Sequence, residues 1–413
     1  MNNFMRILFA LFIVLALLTG AVFAVKRDFQ AIETLSEEVA EIPSENPTEE
    51  IPTEPIPEDK IVHIVAAGDN LVQTAVYREA SYHADDGGYN FLPLYENVRD
   101  IIQGGDISIL NQETIITNGD YEISGANLNF NSPMELGHDM IELGFDVFTI
   151  ANNHILDRGT DGIRSTLDYW DERCAENDIV VCGAYRDEAD MQNIRTMTKN
   201  DVEFAFLSFT EHLNGYFIPD DSPYRVVETF ETDVIEEQIR SADEISDCVI
   251  VAIHWGNEDT HTVKDEQRQF AKDMVSWGAD VIIGTHSHTA ETMEYVENED
   301  GSRGFVFYSL GNFISAQTDN FNLIGEIANF DIVVDGITNE LSIENVGVIP
   351  VINHYDDGSF SNMRLYPYNM YTDELADSHG VPYAPKGTAK DFGMDVIDRI
   401  IEENIPEEFR KLD

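Results

Sequence analysis

The sequence predicts an α/β fold built on parallel strands. Short, nearly continuous apolar runs recur along the chain, as in strands that are buried on both faces. Amphipathic stretches with helical spacing lie between these runs, and this alternation favours parallel strands joined by crossover helices. Polar residues follow the runs directly. Ligands of open α/β sheets bind at the carboxyl ends of strands, so the polar clusters are candidates for a functional site.

Five apolar runs have this design, and each is short and almost wholly apolar. They cover residues 61–67, 107–110, 147–151, 249–253 and 281–283. The polar clusters that follow them are Gly68-Asp69, Asn111-Gln112-Glu113, Asn152-Asn153-His154, His254-Trp255-Gly256 and Gly284-Thr285-His286-Ser287-His288. We expect all five clusters to meet at the same sheet edge. One histidine after a strand is weak evidence of a site, but five such strand ends together indicate one.

Helical patterns lie between the runs. Apolar residues repeat with helical spacing at 92–102, 134–143, 163–170 and 270–277. After Phe313 the segments "LIGEIANFDIVVDG" and "LSIENVGVIPVINHY" predict two antiparallel strands, which we expect to complete a second sheet packed on the first. A last helix is expected around residues 394–403. The stretch 208–215 follows another apolar strand, and it either lines the site or forms a turn.

The chain divides into four parts by composition. Residues 7–25 form an uncharged apolar run after Arg6, so residues 1–27 are either a cleaved signal peptide or an uncleaved membrane anchor, and the length of the run favours the anchor. Residues 28–59 are acidic and rich in proline, as in an extended linker. The folded domain is expected at 60–350, and 351–413 as a C-terminal extension packed on it. We expect the chain from about Lys60 to lie outside the cytoplasmic membrane.

Net charge excludes some functions. The 413 residues carry a formal net charge of −54, which repels nucleic acid and anionic lipid headgroups and attracts divalent cations. Apolar residues make up 43% of the chain, enough for a sizeable core. Cys174, Cys182 and Cys248 are too few for a disulfide framework, and we expect them to be buried apolar residues.

The residue types in the clusters indicate a metal centre. Carboxylate and amide oxygens together with imidazole nitrogens suit Mn²⁺, Fe or Zn²⁺, and the clusters contain no thiolate. Two such ions about 4 Å apart can share a bridging carboxylate and activate water. A histidine beside the centre that binds no ion, such as His154, could act as a general acid or stabilise developing charge.

The order of the motifs resembles the poly-γ-glutamate capsule biosynthesis (CapA-like) family, which is similar in fold to the calcineurin-like metallophosphoesterases. The likeness runs from about residue 61 to residue 315. It is carried by Gly68-Asp69, Asn111-x-Glu113, Ala151-Asn152-Asn153-His154 with Asp157 and Gly159, His254-Trp255-Gly256, Gly284-x-His286-x-His288 and Tyr308-Ser309-Leu310-Gly311-Asn312-Phe313. The resemblance implies a metallophosphoesterase-like four-layer α/β/β/α sandwich with mixed sheets.

The resemblance also implies roles for individual residues. It implies that one or two divalent transition-metal ions bind to Asp69, Glu113, Asn153, His254, His286 and His288. Glu113 would take the bridging carboxylate position. His154 would be the catalytic histidine, and Asp157 could orient it, as carboxylates behind a site residue do. The candidates for substrate binding are Asn111, Asn152 and Asn312.

The chain departs from these patterns at a few positions. Phosphoesterases of this kind usually have Asp-x-His in the first motif, whereas Leu71 takes the place of that histidine, so one ion lacks a ligand. Ser287 stands where the capsule family commonly has proline. Asn257-Glu258-Asp259 replaces an acidic-aromatic pair after His-Trp-Gly.

Alternative functions remain open at this stage. One is an exported metal-dependent hydrolase-fold protein in the biosynthesis of poly-γ-glutamate or a related capsule polymer, and another is an extracellular metallophosphoesterase. The third is a non-catalytic protein that binds polymer or assembles the synthase. The expected partners are an anionic polymer or phosphoester and membrane-bound synthase subunits, with membrane contact through the N-terminal segment and no nucleic acid.

Overall fold

The computed structural model describes residues 57–85, 87–384 and 389–412. The predicted signal peptide or anchor at 1–27 lies outside the described residues, and so does the predicted linker apart from residues 57–59. Within the described ranges, none of the helices combines the length and the apolar character that a membrane crossing requires.

Strands and helices alternate through the first two thirds of the described chain. The strands are β1 (Lys60–Asn70), β2 (Ile107–Asn111), β3 (Val147–Thr149), β4 (Val180–Cys182), β5 (Arg195–Lys199), β6 (Val202–Thr210), β7 (Cys248–His254), β8 (Val281–Thr285), β9 (Met293–Glu297), β10 (Arg303–Phe307), β11 (Asn312–Ile314), β12 (Ile324–Val334), β13 (Leu341–His354) and β14 (Arg364–Pro367). The helices are α1 (Thr74–Tyr82), α2 (Leu92–Tyr95), α3 (Arg99–Gln103), α4 (Glu135–Leu143), α5 (Gly159–Glu176), α6 (Glu188–Gln192), α7 (Thr232–Asp243), α8 (Asp265–Trp277), α9 (Asp373–Ser378) and α10 (Met394–Asn404).

These strands form two mixed sheets. The first has the order β14-β13-β12-β1-β2-β3-β4, with β11 also paired to β1. Its strands β1 to β4 are parallel, whereas β12, β13 and β14 run antiparallel to their neighbours. The second sheet has the order β5-β6-β7-β8-β10-β9, and only its two outer strands are antiparallel to the strands beside them.

The sheets pack face to face, and helices cover both outer faces. Along β1, Val62, Ile64 and Ala66 join an apolar cluster with residues of the second sheet, whereas Val65 and Ala67 join a cluster with α1 to α5. Alternate residues of β6, β7 and β8 pack against α7 and α8. Because side chains of a strand point alternately to its two faces, this pattern gives four layers. The predicted α/β/β/α sandwich with mixed sheets is confirmed.

Two details of the predicted arrangement are wrong. The five strand ends do not share one sheet edge, because β1, β2 and β3 belong to the first sheet and β7 and β8 to the second. The β12–β13 hairpin extends the first sheet and pairs with β1, so it does not complete the second one. Apolar runs predict strands, but they do not say which strands will pair.

The C-terminal part of the described chain belongs to the same sandwich. Strand β13 runs across residue 350, and β14 pairs with it. Apolar residues of α10, including Ile397 and Ile401, join the cluster between the sheets. The three cysteines are free; Cys182 and Cys248 are buried as expected, but Cys174 is exposed because it lies on the outer side of α5.

Candidate metal centre

The site lies where the carboxyl ends of β1, β2 and β3 face those of β7 and β8. Asp69 is brought there by a close approach of two chain segments. A side chain on Gly68 would place its Cβ 2.0 Å from the carbonyl oxygen of Gly311, so only glycine fits. In the paired strands β1 and β11, Asp69 lies opposite Asn312.

Glu113 is the centre of the cluster. It is fully buried, and neither carboxylate oxygen has a hydrogen-bond partner. Its Oε1 lies 3.8 Å from Nε2 of His154, 3.8 Å from Nε2 of His254 and 3.7 Å from Nε2 of His288. These distances are too long for hydrogen bonds. Burial raises the pKa of the Glu113 carboxyl well above its ordinary value, and Asp69 raises it further. Among the described residues, no hydrogen-bond donor thus satisfies the buried Glu113 carboxyl.

Asp69, Glu113 and His288 form what we call the first ligand group. Their ligand atoms lie within 4.8 Å of one another. The Oδ2 atom of Asp69 is 3.0 Å from Nδ1 of His288, and Oδ1 accepts a hydrogen bond of 2.7 Å from the amide of Asn111. Burial lowers the pKa of His288, but Glu113 and Asp69 outweigh it and raise that pKa to about 10. The group therefore holds a positive charge on this imidazole, in the place where a cation would sit.

Glu113, Asn153, His254 and His286 form the second ligand group. Nε2 of His254 lies 3.2 Å from Oδ1 of Asn153 and 3.0 Å from Nδ1 of His286. Burial, together with neighbouring histidines, lowers the pKa of His254 and His286 well below the ordinary value. Both rings are therefore neutral at physiological pH. Neutral imidazole is the form that binds a metal ion, so these two rings are ready to act as ligands.

The loop after β8 has an unusual backbone that carries the paired histidines. His286 has φ 97° and His288 has φ 57°, both in the left-handed region that is costly for residues with a Cβ atom. Such conformations persist only where surrounding contacts enforce them, and they concentrate at functional sites. The turn brings the His288 ring to Asp69, whose Oδ2 also accepts a hydrogen bond of 3.2 Å from the backbone N–H of His286.

His154 lies beside Glu113 and is held on its other side. Its Nδ1 is 3.0 Å from Oδ2 of Asp157, and that oxygen also accepts a hydrogen bond of 2.8 Å from the backbone N–H of Phe130. The Phe130 ring packs edge-to-face on the imidazole at a centroid distance of 4.7 Å. These contacts fix the ring with Nε2 directed toward Glu113. That is the geometry expected of a histidine oriented by a carboxylate.

The three asparagines predicted to bind substrate lie in the site and contact protein groups. Asn111 donates to Asp69, as described above. Asn152 donates to the Gln112 carbonyl at 3.0 Å and accepts from the backbone N–H of His154 at 3.0 Å. The Asn312 amide nitrogen lies 3.4 Å from the carbonyl oxygen of His288, while its Oδ1 is buried without a partner. The Asn111 amide thus orients the candidate ligand Asp69, and the Asn152 side chain holds the turn that carries His154. Contact with substrate stays a prediction for all three asparagines.

The sequence analysis named neither His212 nor Asn214 as a site residue and left open whether their stretch lines the site or forms a turn. Nε2 of His212 lies 3.2 Å from Nε2 of His286, and the Asn214 amide nitrogen lies 3.4 Å from Nδ1 of His154. The stretch 208–215 therefore does line the site, and Asn214 also forms a turn with φ 52°. The signal was a polar cluster after an apolar strand, the same as at the other strand ends.

The residues present fit a centre for divalent metal ions. The two ligand groups share a buried, unpartnered carboxylate, and the other donors are a carboxylate, an amide oxygen and three imidazoles. Ligands that bind one transition-metal ion at about 2.0–2.2 Å lie about 3–4 Å from each other, which is the spacing around Glu113. Donors of this type suit Mn²⁺, Fe or Zn²⁺ and do not distinguish among them.

Comparisons with known proteins identify relatives of the chain. Among curated relatives, the chain is 31% identical over 202 residues to the capsule biosynthesis protein CapA of Bacillus anthracis, covering 48% of this chain and 46% of that protein. It is 28% identical over 225 residues to the PGA biosynthesis protein CapA of Bacillus subtilis, covering 54% of this chain and 57% of that one. The chain thus spans about half the length of the curated relatives it matches.

Solved structures match the chain at low sequence identity and low TM-score. A candidate 5′-nucleotidase from Staphylococcus aureus, in complex with alpha-ketoglutarate, matches with TM-score 0.42 and 12% identity, covering 70% of this chain and 54% of that one. A phosphatase from Mycoplasma pneumoniae matches with TM-score 0.40 and 14% identity, covering 71% and 94%.

The match to a family model is the more extensive result. The model of the bacterial capsule synthesis protein PGA_cap matches residues 63–317, which is well over half of the chain and includes every predicted ligand. The resemblance predicted from the motifs is therefore confirmed, and the chain belongs to the PGA_cap family of bacterial capsule synthesis proteins.

Proposed function

We propose that this chain is an exported, metal-dependent hydrolase of the metallophosphoesterase type that acts in the biosynthesis of poly-γ-glutamate or a related capsule polymer. The family supports the role in capsule synthesis, and the B. subtilis relative is described as a PGA biosynthesis protein. The cluster at the carboxyl ends of five strands supports hydrolysis.

Glu113 is the observation that carries the metal part of this proposal. A buried carboxylate normally receives hydrogen bonds or a paired charge, because leaving it unpartnered costs about 1–3 kcal/mol or more. Both Glu113 oxygens lack a partner, although three imidazole nitrogens lie within 3.8 Å of Oε1. A shared cation would satisfy the carboxylate and bind the lone pairs of the neutral rings. A purely structural cluster would be expected to contain a hydrogen-bond donor at this position.

Different residues of the site would bind the metal ions and transfer the proton. Bound divalent ions would polarise an anionic group of the substrate and lower the pKa of water. Asp69 and His288 would hold one ion, and Asn153, His254 and His286 would hold the other, with Glu113 shared. His154, held at Nδ1 by Asp157, can carry a proton on Nε2 and deliver it to a leaving group. The ligands are buried, so little bulk water competes in the site.

The charge of the chain bears on its substrate. An anionic polymer is repelled by a protein with formal net charge −54, so the site must supply local positive charge. Bound divalent ions would do so at the place where the polymer must approach. Metal would then be needed to bind substrate as well as to cleave it.

The metal assignment is tested by changing both histidines of the β8 loop. In the purified protein, we expect His286→Ala combined with His288→Ala to remove most bound transition metal, measured by elemental analysis, with the far-UV circular dichroism retained. His63→Ala is the matched control, because His63 lies near the other end of β1 and bonds to Asp331. Wild-type metal content in the double variant would show that the ligands are assigned wrongly.

Activity assays separate hydrolysis from assembly. We expect the metal-loaded protein to shorten poly-γ-glutamate or to hydrolyse an aryl phosphate, and a chelator to stop the reaction. Cleavage of the phosphate alone would favour an extracellular metallophosphoesterase. If cells need the metal ligands for capsule formation but the purified protein cleaves neither compound, the non-catalytic assembly role would be favoured. That role is the second candidate because Leu71 takes the place of a histidine ligand.

The location is part of the proposal. The apolar run at residues 7–25 and the acidic linker after it support a domain held outside the cytoplasmic membrane. Protease added to intact, wall-stripped cells is expected to degrade the domain from about Lys60 onward. Complete protection of the domain, with a known external protein degraded in the same sample, would contradict export.

A further inference from the structure

We propose that His212 is a positioning residue of the second ligand group, which accepts a hydrogen bond from the His286 ring when that ring binds an ion. This inference rests on the proposed metal dependence and deepens it. The observation that carries it is a distance of 3.2 Å between the Nε2 atoms of the two rings. The rings lie edge-to-face, with their centroids 4.9 Å apart.

The two ring nitrogens of His286 face different partners. Nδ1 lies 3.0 Å from Nε2 of His254, inside the second ligand group, whereas Nε2 faces His212. An ion bound by His254 and Asn153 would therefore meet Nδ1 of His286. The lone pairs of the two nitrogens of an imidazole diverge, so the His212 ring lies behind His286 as seen from that ion. His212 thus supports a ligand and is not itself one of the ligands.

A histidine that binds a metal ion through one nitrogen carries its proton on the other nitrogen. That N–H is almost always bonded to an acceptor, which fixes the orientation of the ring. Within the described ranges, the hydrogen-bond partner of Nε2 of His286 is Nε2 of His212. His212 must therefore offer the lone pair of its Nε2 atom when His286 acts as a ligand.

The backbone contact of His212 favours the opposite arrangement of protons. The backbone N–H of Asn214 donates to Nδ1 of His212 at 3.2 Å, so the proton of this ring lies on Nε2. That proton points to Nε2 of His286, and the proton of His286 then lies on Nδ1, toward His254. The contacts thus place a proton on the nitrogen that an ion would need.

Both rings must exchange tautomers when His286 becomes a ligand. The proton of His286 moves from Nδ1 to Nε2, and the proton of His212 moves from Nε2 to Nδ1. Each ring still carries one proton, so neither ring changes its charge. The backbone N–H of Asn214 then loses its acceptor on His212. His212 thereby links ion binding at the second ligand group to the turn at residues 212–215.

Nitrogen-15 spectra of the histidine rings test the exchange directly. The wild-type protein is measured after removal of metal and again after addition of Zn²⁺, which is diamagnetic and binds imidazole well. The His212 signals are identified by their absence in His212→Gln. We expect the proton of His212 on Nε2 before Zn²⁺ is added and on Nδ1 afterwards. The same tautomer in both samples, with Zn²⁺ bound, overturns the inference.

Calorimetric titration of Zn²⁺ tests the supporting role. We expect His212→Phe, which keeps a ring but removes both nitrogens, to weaken binding at one position by about 10- to 100-fold. We expect His212→Gln to bind close to wild type, because its amide oxygen can accept the same hydrogen bond. His83→Phe is the matched control, since His83 pairs with Glu79 beside helix α1 and contacts no predicted ligand.

The outcomes separate this role from a structural one and from the proposed function. A His212→Phe titration that matches that of His83→Phe overturns the inference, and so does a His212→Gln protein that binds as weakly as His212→Phe. Melting temperatures of the proteins without metal show whether each variant folds; if His212→Phe does not, the wild-type nitrogen spectra decide. If wild type binds no Zn²⁺ at all, the proposed metal dependence fails and this inference fails with it.

Discussion

Asn153 and His154 are adjacent in sequence, and we predict that substituting them will have different effects. Asn153 directs Oδ1 toward His254 in the second ligand group, and its amide nitrogen is buried without a partner. His154 contacts Asp157 and Phe130, and Glu113 is the one predicted ligand near its Nε2. Asn153→Ala should therefore weaken metal binding, whereas His154→Gln should leave metal in place and lower turnover.

The expected magnitudes follow from linkage between metal binding and folding. At a free ion concentration of about 100 times Kd, bound ion stabilises the fold by about 2.7 kcal/mol. If loss of the Asn153 ligand weakens binding about 100-fold, the same concentration equals Kd and the stabilisation falls to about 0.4 kcal/mol. At about 2–4 °C per kcal/mol, the ion raises the melting temperature by about 5–10 °C in wild type and about 1–2 °C in the variant.

Melting curves with and without metal measure this difference directly. Because, within the described part of the chain, the Asn153 side chain forms a hydrogen bond to His254 alone, the metal-free variant should melt close to metal-free wild type. His154→Gln should keep the full metal-dependent rise and lose about 10²- to 10⁴-fold in turnover. Equal loss of the rise in both variants would refute the division of roles, since both residues would then only hold the turn.

Two further predictions concern packing and pH. Gly284→Ala should lower the unfolding free energy by about 1–3 kcal/mol in urea, because the added Cβ would lie 1.9 Å from the Tyr308 carbonyl oxygen; an unchanged midpoint contradicts this. Burial disfavours the charged form of Glu291 and raises its pKa in the folded protein from 4.5 to about 8. Between these pH values the carboxyl ionises in the unfolded chain but not in the folded one, so the free energy of unfolding falls as pH rises. The melting temperature of Glu291→Gln relative to wild type should therefore increase with pH; a constant difference would contradict it.

The positions of the candidate ligands could be predicted from the sequence because they follow strand ends directly. Short apolar runs and helical spacing are local patterns, so Val147–Thr149 and Cys248–His254 could be recognised from a few neighbouring residues. The residues after such runs must lie at the carboxyl ends of strands. Helix α5 and helix α8 were predicted on the same local basis, through the 3.6-residue period of their buried faces.

His212 shows what this local reasoning missed. Strand β6 pairs with β7 so that Thr210 lies opposite His254, and this register places the residue two positions later beside His286. The polar stretch around His212 follows an apolar strand as the other clusters do, but the sequence alone does not decide between a turn and a place in the site. Its place in the site depends on the pairing of β6 with β7, which the sequence near His212 does not specify.

The alternation of strands and helices and the residue types at each strand end could be predicted from the sequence, because both depend on residues close together in the chain. That β1 to β3 and β7 to β8 lie in different sheets, and that β12 joins the first, emerges from the folded chain. Local patterns do not predict it because an apolar strand can be buried equally well in either sheet. The choice is made by pairing and packing across hundreds of residues, and that choice leaves Glu113 unpartnered among three imidazoles.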